Sequence, residues 1–406
     1  MRCSAATMFA LSAACHGGEV EQEDSFTTRL SVVEELRIGS PDDPTFAFTW
    51  FVGLEVAPDG RIYTMHPQEA TIRVHTAAGE PLPSIGRRGD GPGEFHRLAA
   101  MGVIGDTLWA LDLGTYRFSY FSYDGTLLAS RRIPIDYGSG VPVGREDLAR
   151  RLRSARRPRG LLSDGRVWGA PIAYNDFVAK GWISEQALVV QDSTNQFVDT
   201  LVITPLTNSV WEIRDPDKPR SDGVTRSAPF SDTEIVTLFP YAPMVYRLDR
   251  TVRPDSAHTL RITAVTFGDS VLWSRAYAYT PRTISPLQID SLVDAFVGRA
   301  VEEHGLAPAR AARWARDNLY VPAHHPAVSS MIVGRDGTIW LAGPNDGASA
   351  RDWMIIDSDG EALGSVTLPY RFQVQHAHGL VAWGMDLDEL DVPYLVRFRA
   401  APRGER

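Results

Sequence analysis

The sequence predicts an all-β fold: a six-bladed β-propeller with an N-terminal strand that closes the last blade and a helical hairpin inserted between two blades. Three observations lead to this prediction. A unit of four short strands recurs with a period of about 40 to 45 residues. Tight turns built on Asp-Gly recur at matching points of the unit, as at Asp59-Gly60 and Asp336-Gly337. The last unit has only three strands, and a strand-like segment before the first unit can supply the fourth.

The first 15 residues are typical of an export signal. They hold one arginine, a short apolar run and small residues ahead of Cys15, which is the composition of a signal peptide. The residues before Cys15 approximate a lipobox, although the leucine stands one place too far upstream. We therefore expect a lipid anchor at Cys15, a polar tether over residues 16–27, and a location in the cell envelope, periplasmic or on the outer surface. Simple export and a misassigned start codon are the alternatives.

Composition limits the possible partners. The chain has 406 residues, 44% of them hydrophobic, so it can bury a large core. Its net charge of -9 argues against nucleic acid as a partner. No stretch of about 18 apolar residues follows Cys15, so we expect membrane contact through the lipid anchor alone. We also expect a monomer and no cofactor.

The repeated unit is visible in at least four places. Its first complete copy occupies residues 54–85, with the turn at Asp59-Gly60, and further copies span 101–133, 160–190 and 331–368. Each copy alternates apolar and polar residues between turn residues, which is the pattern of half-buried strands. Four strands per unit at this period indicate propeller blades.

A glycine-rich segment links the first two units. Residues 85–95 read Ile-Gly-Arg-Arg-Gly-Asp-Gly-Pro-Gly-Glu-Phe, and so many glycines specify the path of a loop. No Lys-Ser/Thr and no helix pattern follow, which argues against a phosphate-binding loop. We expect an ordered loop that packs between blades, with Phe95 buried and Glu94 hydrogen-bonded.

This segment and the Asp-Gly units together carry a resemblance. The chain resembles NHL-type six-bladed β-propellers, and specifically the bacterial six-bladed propeller lipoproteins of unassigned function, over residues 34–400. The resemblance implies the fold and an envelope location. It supplies no catalytic residues.

The ends of the chain are expected to close the ring. The last unit shows strands at 372–376, 381–385 and 394–398, and residues 28–38 are strand-like. If residues 28–38 pair with the last unit, they complete a sixth blade and remove its exposed edge. The propeller is therefore expected to span residues 28–400.

The long connections all fall on one face of the predicted propeller. If the strands of a blade are A to D from the axis outward, the Asp-Gly turns join A to B or C to D. The long segments join B to C or D to A: 86–98, 134–159, 172–186, 205–230, 281–327 and 386–393. Function carried on loops of a rigid scaffold has this asymmetry, so we expect ligand binding on the long-loop face. The candidate binding residues are Arg97, Arg150, Arg151, Arg153, Trp182 and Trp314.

Two of these segments have distinct patterns. The run of arginines from Arg145 to Arg159 could grip an anion or a lipid surface, although a solvated helix balanced by acidic neighbours explains it as well. Residues 281–327 predict a helical hairpin that begins at Ser285-Pro286 and breaks at Gly305. Its predicted apolar stripe comprises Leu287, Leu292, Val293, Phe296 and Ala300. The hairpin is either a lid over the channel or a cap buried against neighbouring blades.

No complete metal or catalytic motif is present. His376 and His378 would share one face of a strand, and Asp388 and Asp391 lie in an acidic loop, but neither pair completes a zinc or EF-hand motif. We therefore predict no catalytic metal and no catalytic residues. The leading hypothesis is an exported binding module. The alternatives are a structural envelope component and a metal-dependent hydrolase or lyase in the channel, similar to lactonase propellers, for which Glu55 is the one acidic residue evident on an inner strand.

Overall fold

The computed structural model describes residues 24–43, 46–133, 156–171, 185–192, 197–213, 224–253 and 258–402. Within these residues the chain forms 27 β-strands and two α-helices. This described part is all-β apart from one helical insertion, as the sequence predicts.

The strands follow one another blade by blade along the chain. Ahead of the first blade stand β1 (Asp24–Ser25) and β2 (Leu30–Ile38). Blade 1 holds β3 (Gly53–Val56), β4 (Ile62–His66), β5 (Thr71–His75) and β6 (Pro81–Ile85). Blade 2 holds β7 (Leu98–Ile104), β8 (Thr107–Asp112), β9 (Arg117–Ser122) and β10 (Leu127–Arg132). Blade 3 holds β11 (Arg156–Leu161), β12 (Val167–Pro171), β13 (Glu185–Gln191) and β14 (Phe197–Pro205).

A separate hairpin follows, made of β15 (Val210–Ile213) and β16 (Val224–Ser227). Blade 4 holds β17 (Ile235–Phe239), β18 (Met244–Asp249), β19 (Thr259–Thr266) and β20 (Val271–Ala278). Helices α1 (Pro286–His304) and α2 (Pro308–Asp317) come next. Blade 5 holds β21 (Ser330–Val333), β22 (Ile339–Ala342), β23 (Ala350–Ile356) and β24 (Ala362–Pro369). Blade 6 holds β25 (Gln373–His378), β26 (Val381–Leu387) and β27 (Pro393–Pro402), with β2 as its fourth strand.

Each blade is a meander of neighbouring antiparallel strands. The first strand of a blade lies nearest the axis: β3, β7 and β11 are successive neighbours, and so are β17, β21, β25 and β3. The second strand is buried on both faces, since every residue of β4 and of β22 is buried. Strand β22 is accordingly a continuous apolar run, Ile-Trp-Leu-Ala, whereas β4 also buries the polar Thr64 and His66.

The predicted closure of the ring is confirmed. Strand β2 pairs antiparallel with β27, from Leu30 opposite Pro402 to Ile38 opposite Leu395. The outer edge of blade 6 is therefore covered by a segment from the other end of the chain, which ties the ends together.

The residues just before β2 are part of the fold. The tether was expected to continue to residue 27, but β1 pairs in parallel with β20 on the outer edge of blade 4. Phe26 stacks on Tyr277, with ring centroids 5.4 Å apart, and Arg29 bridges to Ser365 on blade 5. Strand β1 can pair there because β20 is an edge strand, whose unpaired N–H and C=O groups can bind a neighbouring extended segment. The N-terminal segment thus joins blades 4, 5 and 6.

The glycine-rich loop packs between blades 1 and 2, as expected. Phe95 is fully buried and meets Phe121 edge-on, with centroids 6.3 Å apart. Glu94 accepts hydrogen bonds from the Gly91 amide and from Arg87 Nε, at 2.9 and 2.8 Å. Gly86 has φ +81°, and a Cβ there would lie 2.2 Å from the Phe95 ring. Glycine is required at residue 86 because the aromatic ring occupies the space of a side chain.

The helical hairpin also forms where the sequence predicts it. The Ser285 side chain accepts a hydrogen bond from the Gln288 amide at the start of α1, and Gly305 ends the helix with φ 64°. Within the stripe, Val293 and Phe296 are fully buried, but Leu287 is 81% exposed. Including Leu287 in the stripe was wrong, because six residues at 100° each turn it about 120° away from Val293.

The hairpin packs against a partner that the sequence did not predict. Strands β15 and β16, from a different connection, join α1 and α2 around one apolar core. Trp211 Nε1 donates to Ala315 O at 2.7 Å, and its ring lies 4.4 Å from that of Phe296. We call these four elements the insertion body. In the described part of the chain, no helix is long and apolar enough to cross a membrane.

Candidate functional site

The two faces of the propeller have different connections. The A-to-B and C-to-D turns form what we call the short-turn face. The strand order places the glycine-rich loop, both parts of the insertion body and the loop between β26 and β27 on the opposite, long-loop face. The two other long connections, from β10 to β11 and from β12 to β13, also join strand ends of that face.

Polar side chains from several blades meet near the axis at the short-turn end. Glu55 lies on β3, just before the Asp59-Gly60 turn. Its Oε2 is 3.9 Å from Arg335 Nη2 and 3.7 Å from His376 Nδ1. The exposed fractions of the three side chains are 19%, 21% and 10%. We call Glu55, Arg335, His376 and the neighbouring Tyr241 the axial cluster.

Arg335 connects this cluster across the ring. It stands in the turn between β21 and β22 of blade 5. Its Nη2 approaches Val103 O on blade 2 and the Tyr241 hydroxyl on blade 4, each at 3.5 Å. Its guanidinium carbon lies 4.8 Å from the centroid of the Tyr241 ring. The guanidinium therefore reaches across the axis from its own blade to three others.

Burial sets the charges of the cluster. It raises the pKa of Glu55 to about 7, although the Arg335 guanidinium opposes part of that rise. Burial, together with the nearby Arg335 guanidinium, lowers the pKa of His376 to about 3. Near neutral pH, Glu55 can therefore give or take a proton, His376 is a neutral hydrogen-bonding group, and Arg335 is a cation that can hold an anion or a carbonyl oxygen.

The two histidines proposed as metal candidates have different surroundings. His376 is buried and meets Trp383 edge-on, with centroids 5.4 Å apart. His378 is exposed, and its Nδ1 lies 3.8 Å from Asp336 Oδ2. Among the described residues, no group of three or more His, Cys, Asp or Glu side chains is placed to hold a metal ion.

A cavity of about 520 Å³ lies on the long-loop side of blades 4 and 5. Its walls come from the N-terminal segment, from the ends of both blades and from the base of the insertion. The lining includes Phe26, Arg29, Tyr279, Arg282, His325 and Asp352. Arg29 Nη1 and Arg282 Nη2 both bind Asp352, at 3.0 and 2.9 Å, so its charged wall is preorganised.

Of the predicted binding residues, two lie in the described part of the chain. Arg97 is exposed at the start of blade 2, where its Nη2 donates weakly to Leu113 O at 3.4 Å. Trp314 is 6% exposed, because it belongs to the core of the insertion body. Arg150, Arg151, Arg153 and Trp182 lie outside the described residues, as does Cys15.

The acidic loop between β26 and β27 is held by its own carboxylates. Asp388 Oδ1 accepts from the amides of Leu390 and Val392, each at 2.9 Å. Asp391 binds Arg371 Nη1 at 2.8 Å. These two aspartates stabilise the turn and do not approach the axial cluster.

Sequence reasoning found Glu55, His376 and His378 but missed Arg335 and Tyr241. Arg335 precedes an ordinary Asp-Gly turn, at a position where another copy of the turn has Pro58. Its contacts with Val103 and Tyr241 span 232 and 94 residues. The one sequence feature that could have indicated Arg335 as a site residue was an arginine where another inner turn has proline.

No protein-family model and no curated protein matches the chain, but solved structures do. The chain is 10% identical to a protein of Bacteroides fragilis assigned as exported, covering 93% of this chain and 100% of that one, with a TM-score of 0.47. A DUF4221 family member from Bacteroides vulgatus is 10% identical over 92% of this chain and 98% of its own, with a TM-score of 0.48. Virginiamycin B lyase from Staphylococcus aureus is 10% identical over 91% and 99%, with a TM-score of 0.42.

Proposed function

We propose that the protein is an exported, lipid-anchored propeller that binds a protein or a small molecule through its long-loop face. The observation that carries the proposal is the cavity of about 520 Å³ between blades 4 and 5, at the base of the connection that carries α1 and α2. Concave sites that combine apolar walls with a few fixed charges are typical of ligand binding. Its walls combine the N-terminal segment, both ends of the connection that carries α1 and α2, and residues of blade 5. A ligand bound there would therefore contact the propeller and the base of that connection.

The insertion body also favours the long-loop face as the binding surface. Two connections on either side of blade 4 have grown and share one core that includes Trp211 and Phe296. A shared core makes the body a firm surface rather than two separate loops, which lowers the entropy lost on binding. Two apolar side chains remain exposed on this face: Leu287 on α1 and Val321 in the loop after α2. Exposed apolar side chains on this face favour a partner that buries them.

Photo-crosslinking tests this assignment. A crosslinking amino acid is placed at Leu287 or Val321 on the long-loop face and, as matched controls, at Asp59 or Asp124 on the short-turn face. We expect adducts in the cell envelope from the first pair and none from the second. Adducts from Asp59 and Asp124 alone would contradict the assignment.

Anchoring through Cys15 and membership of the NHL-type lipoprotein group are parts of the same proposal. They are supported by the small residues that precede Cys15 and by the glycine-rich loop. We expect Cys15→Ser to move the protein from the membrane fraction to the soluble fraction. The released protein is expected to be a monomer without affinity for nucleic acid, measured by light scattering and filter binding. An unchanged membrane fraction would refute the anchor.

A second candidate is a hydrolase or lyase centred on the channel. It is favoured by the position of Glu55, whose carboxylate lies 3.7 Å from His376 and whose pKa is raised to about 7. Such a carboxyl group suits general acid–base chemistry. A lactone panel assayed with and without divalent cations tests it. This candidate requires turnover that Glu55→Gln abolishes, and it fails if no lactone is opened.

A further inference from the structure

We propose that the axial cluster at the short-turn end of the channel binds a small monocarboxylate, with Arg335 as its main contact. The site lies at the opposite end from the long-loop face. It therefore stands or fails independently of the binding function proposed for that face.

The first reason is the position of the guanidinium. Arg335 belongs to blade 5, yet it approaches Glu55 on blade 1, Val103 on blade 2 and Tyr241 on blade 4. Blades 2 and 5 face each other across a six-bladed ring, so the charge lies near the axis. A ligand inside the channel would meet this cation when it reached the short-turn end.

The second reason is that Arg335 is poorly neutralised. Elsewhere in this protein, arginine and glutamate form close forked pairs, as in Arg247 with Glu234 at 2.8 and 2.9 Å. Arg335 and Glu55 are 3.9 Å apart, which is too far for a hydrogen bond. Within the described residues, Glu55 Oε2 and Arg335 Nε are buried without a hydrogen-bond partner. Unmet buried polar groups are costly, and their retention points to a ligand.

The third reason is that the planar guanidinium of Arg335 can still accept a carboxylate ligand. The Tyr241 ring lies 4.8 Å from the guanidinium carbon and contributes a cation–π contact. The side chain remains 21% exposed. A guanidinium presents its donors in a planar fork that matches both oxygens of a carboxylate. Ligand and ring can then contact Arg335 at the same time.

The net charge of the axial cluster favours a ligand with a single negative charge. His376 is neutral near physiological pH because burial lowers its pKa to about 3. Glu55 is partly protonated there, and its acid form can donate a hydrogen bond to a carboxylate. Arg335 is then the one full positive charge of the cluster. A dianion such as sulfate would exceed it, whereas a monocarboxylate matches it.

Glu55 also determines how binding depends on pH. The groups that face it are Arg335, His376 and Tyr241, with Asp336 and His378 behind them. As pH rises through about 7, Glu55 ionises and competes with the ligand for Arg335. Carboxylate binding should therefore weaken with rising pH.

Calorimetry with matched acids and amides tests the site on the mature protein. The probes are acetate and benzoate, with acetamide and benzamide as neutral isosteres and sulfate as the dianion. We expect at least one acid to bind at pH 7 with a Kd about tenfold or more below that of its amide, which is the range of a charged hydrogen bond. Arg335→Gln should remove that preference. The control Arg351→Gln should keep it, since Arg351 lies on β23, outside the axial cluster, but likewise contacts a tyrosine ring and has an unpartnered Nε.

Three results would overturn the proposal: acids that bind no better than amides, sulfate that binds more tightly than either acid, or an unchanged preference in Arg335→Gln. A folded Glu55→Gln should keep acid binding and lose its decline with pH. If Arg335→Gln does not fold, a crystal of the wild-type protein soaked in 4-bromobenzoate gives a direct answer through the bromine signal. A bromine near Arg335 supports the site, and a bromine only elsewhere refutes it.

Discussion

The two ends of this propeller are built from different kinds of contact. At the long-loop end, the insertion body folds around its own apolar core, with Trp211 Nε1 bound to Ala315 O. At the short-turn end, Glu55, Arg335 and His376 meet from three different blades through charged and polar groups. One end is an added structure that supplies its own stability. The other is a cluster that exists only because the ring is closed.

The comparison indicates where an apolar insertion and where a buried charged cluster can occur in such a fold. A long insertion is tolerated where it can bury its own apolar side chains, because it then costs the scaffold little. Charged groups such as Arg335 and Glu55 are costly to bury, so they persist where function or a partner compensates for them. The long-loop end is therefore suited to recognising a partner, and the short-turn end to holding one small polar ligand.

The variant with the largest expected loss of stability tests whether the whole propeller unfolds as one cooperative unit. Phe95→Ala should lower the free energy of unfolding of the whole propeller by about 3 to 5 kcal/mol, because a fully buried ring leaves a cavity between blades 1 and 2. Urea denaturation followed by tryptophan fluorescence measures it. Leu390→Ala, at an exposed position, is the control and should change little. An unchanged midpoint for Phe95→Ala would contradict the role of the glycine-rich loop.

The next variant tests whether the insertion body is separate from that unit. Phe296→Ala should destabilise the body by about 3 kcal/mol, since the ring is buried against Trp211. Hydrogen exchange should accelerate in α1, α2, β15 and β16 and stay unchanged in blade 1. Leu287→Ala on the same helix is the exposed control. Faster exchange throughout the propeller would mean that the two ends are not independent.

A pH series sharpens the comparison at the axial cluster. The folded-state pKa of Glu55, about 7, lies above the unfolded value near 4.3, so its stabilising contribution is present at low pH and is lost as pH rises through about 7. His376 has the opposite sign: its pKa is depressed to about 3, so its contribution is present above about 6.5 and is lost as pH falls. The two slopes oppose each other between about pH 4.5 and 6.5.

Glu55→Gln should therefore become more stable relative to the wild type as pH rises from about 4 to 7, by about 2 to 3 kcal/mol in total. His376→Gln should show the reverse trend, gaining on the wild type as pH falls below about 6.5. Thermal unfolding at matched ionic strength measures both. Parallel curves for wild type and Glu55→Gln would mean that this carboxyl group is not desolvated.

The smallest effect is expected on the surface of the insertion body. Arg316 Nη2 binds Asp290 Oδ1 at 2.8 Å, but the two side chains are 48% and 51% exposed. Exposed ion pairs contribute about 0 to 1 kcal/mol, so Arg316→Ala should leave hydrogen exchange of α1 and α2 nearly unchanged. A loss comparable to that of Phe296→Ala would show that charge, and not the apolar core, stabilises this end.

Much of the scaffold was predictable from local patterns. Alternating apolar residues and Asp-Gly turns predicted the blades, and the missing last strand predicted that β2 would pair with β27. Ser285 and Gly305 marked the ends of α1. These features depend on neighbours within a few residues, where turn chemistry and hydrophobic periodicity act directly. Glu94 and Phe95 were likewise predictable because the glycines around them specify the path of the loop.

The amino-acid sequence by itself determined the repeat, its turns and the face on which insertions occur. The tertiary structure alone decided that β15 and β16 join the helices, that β1 pairs with β20, and that Arg335 meets Glu55 and Tyr241. The physical reason is distance along the chain: Arg335 is 94 residues from Tyr241 and 232 from Val103. No local pattern encodes such contacts, because closing the ring brings together side chains whose own neighbours specify only a strand or a turn.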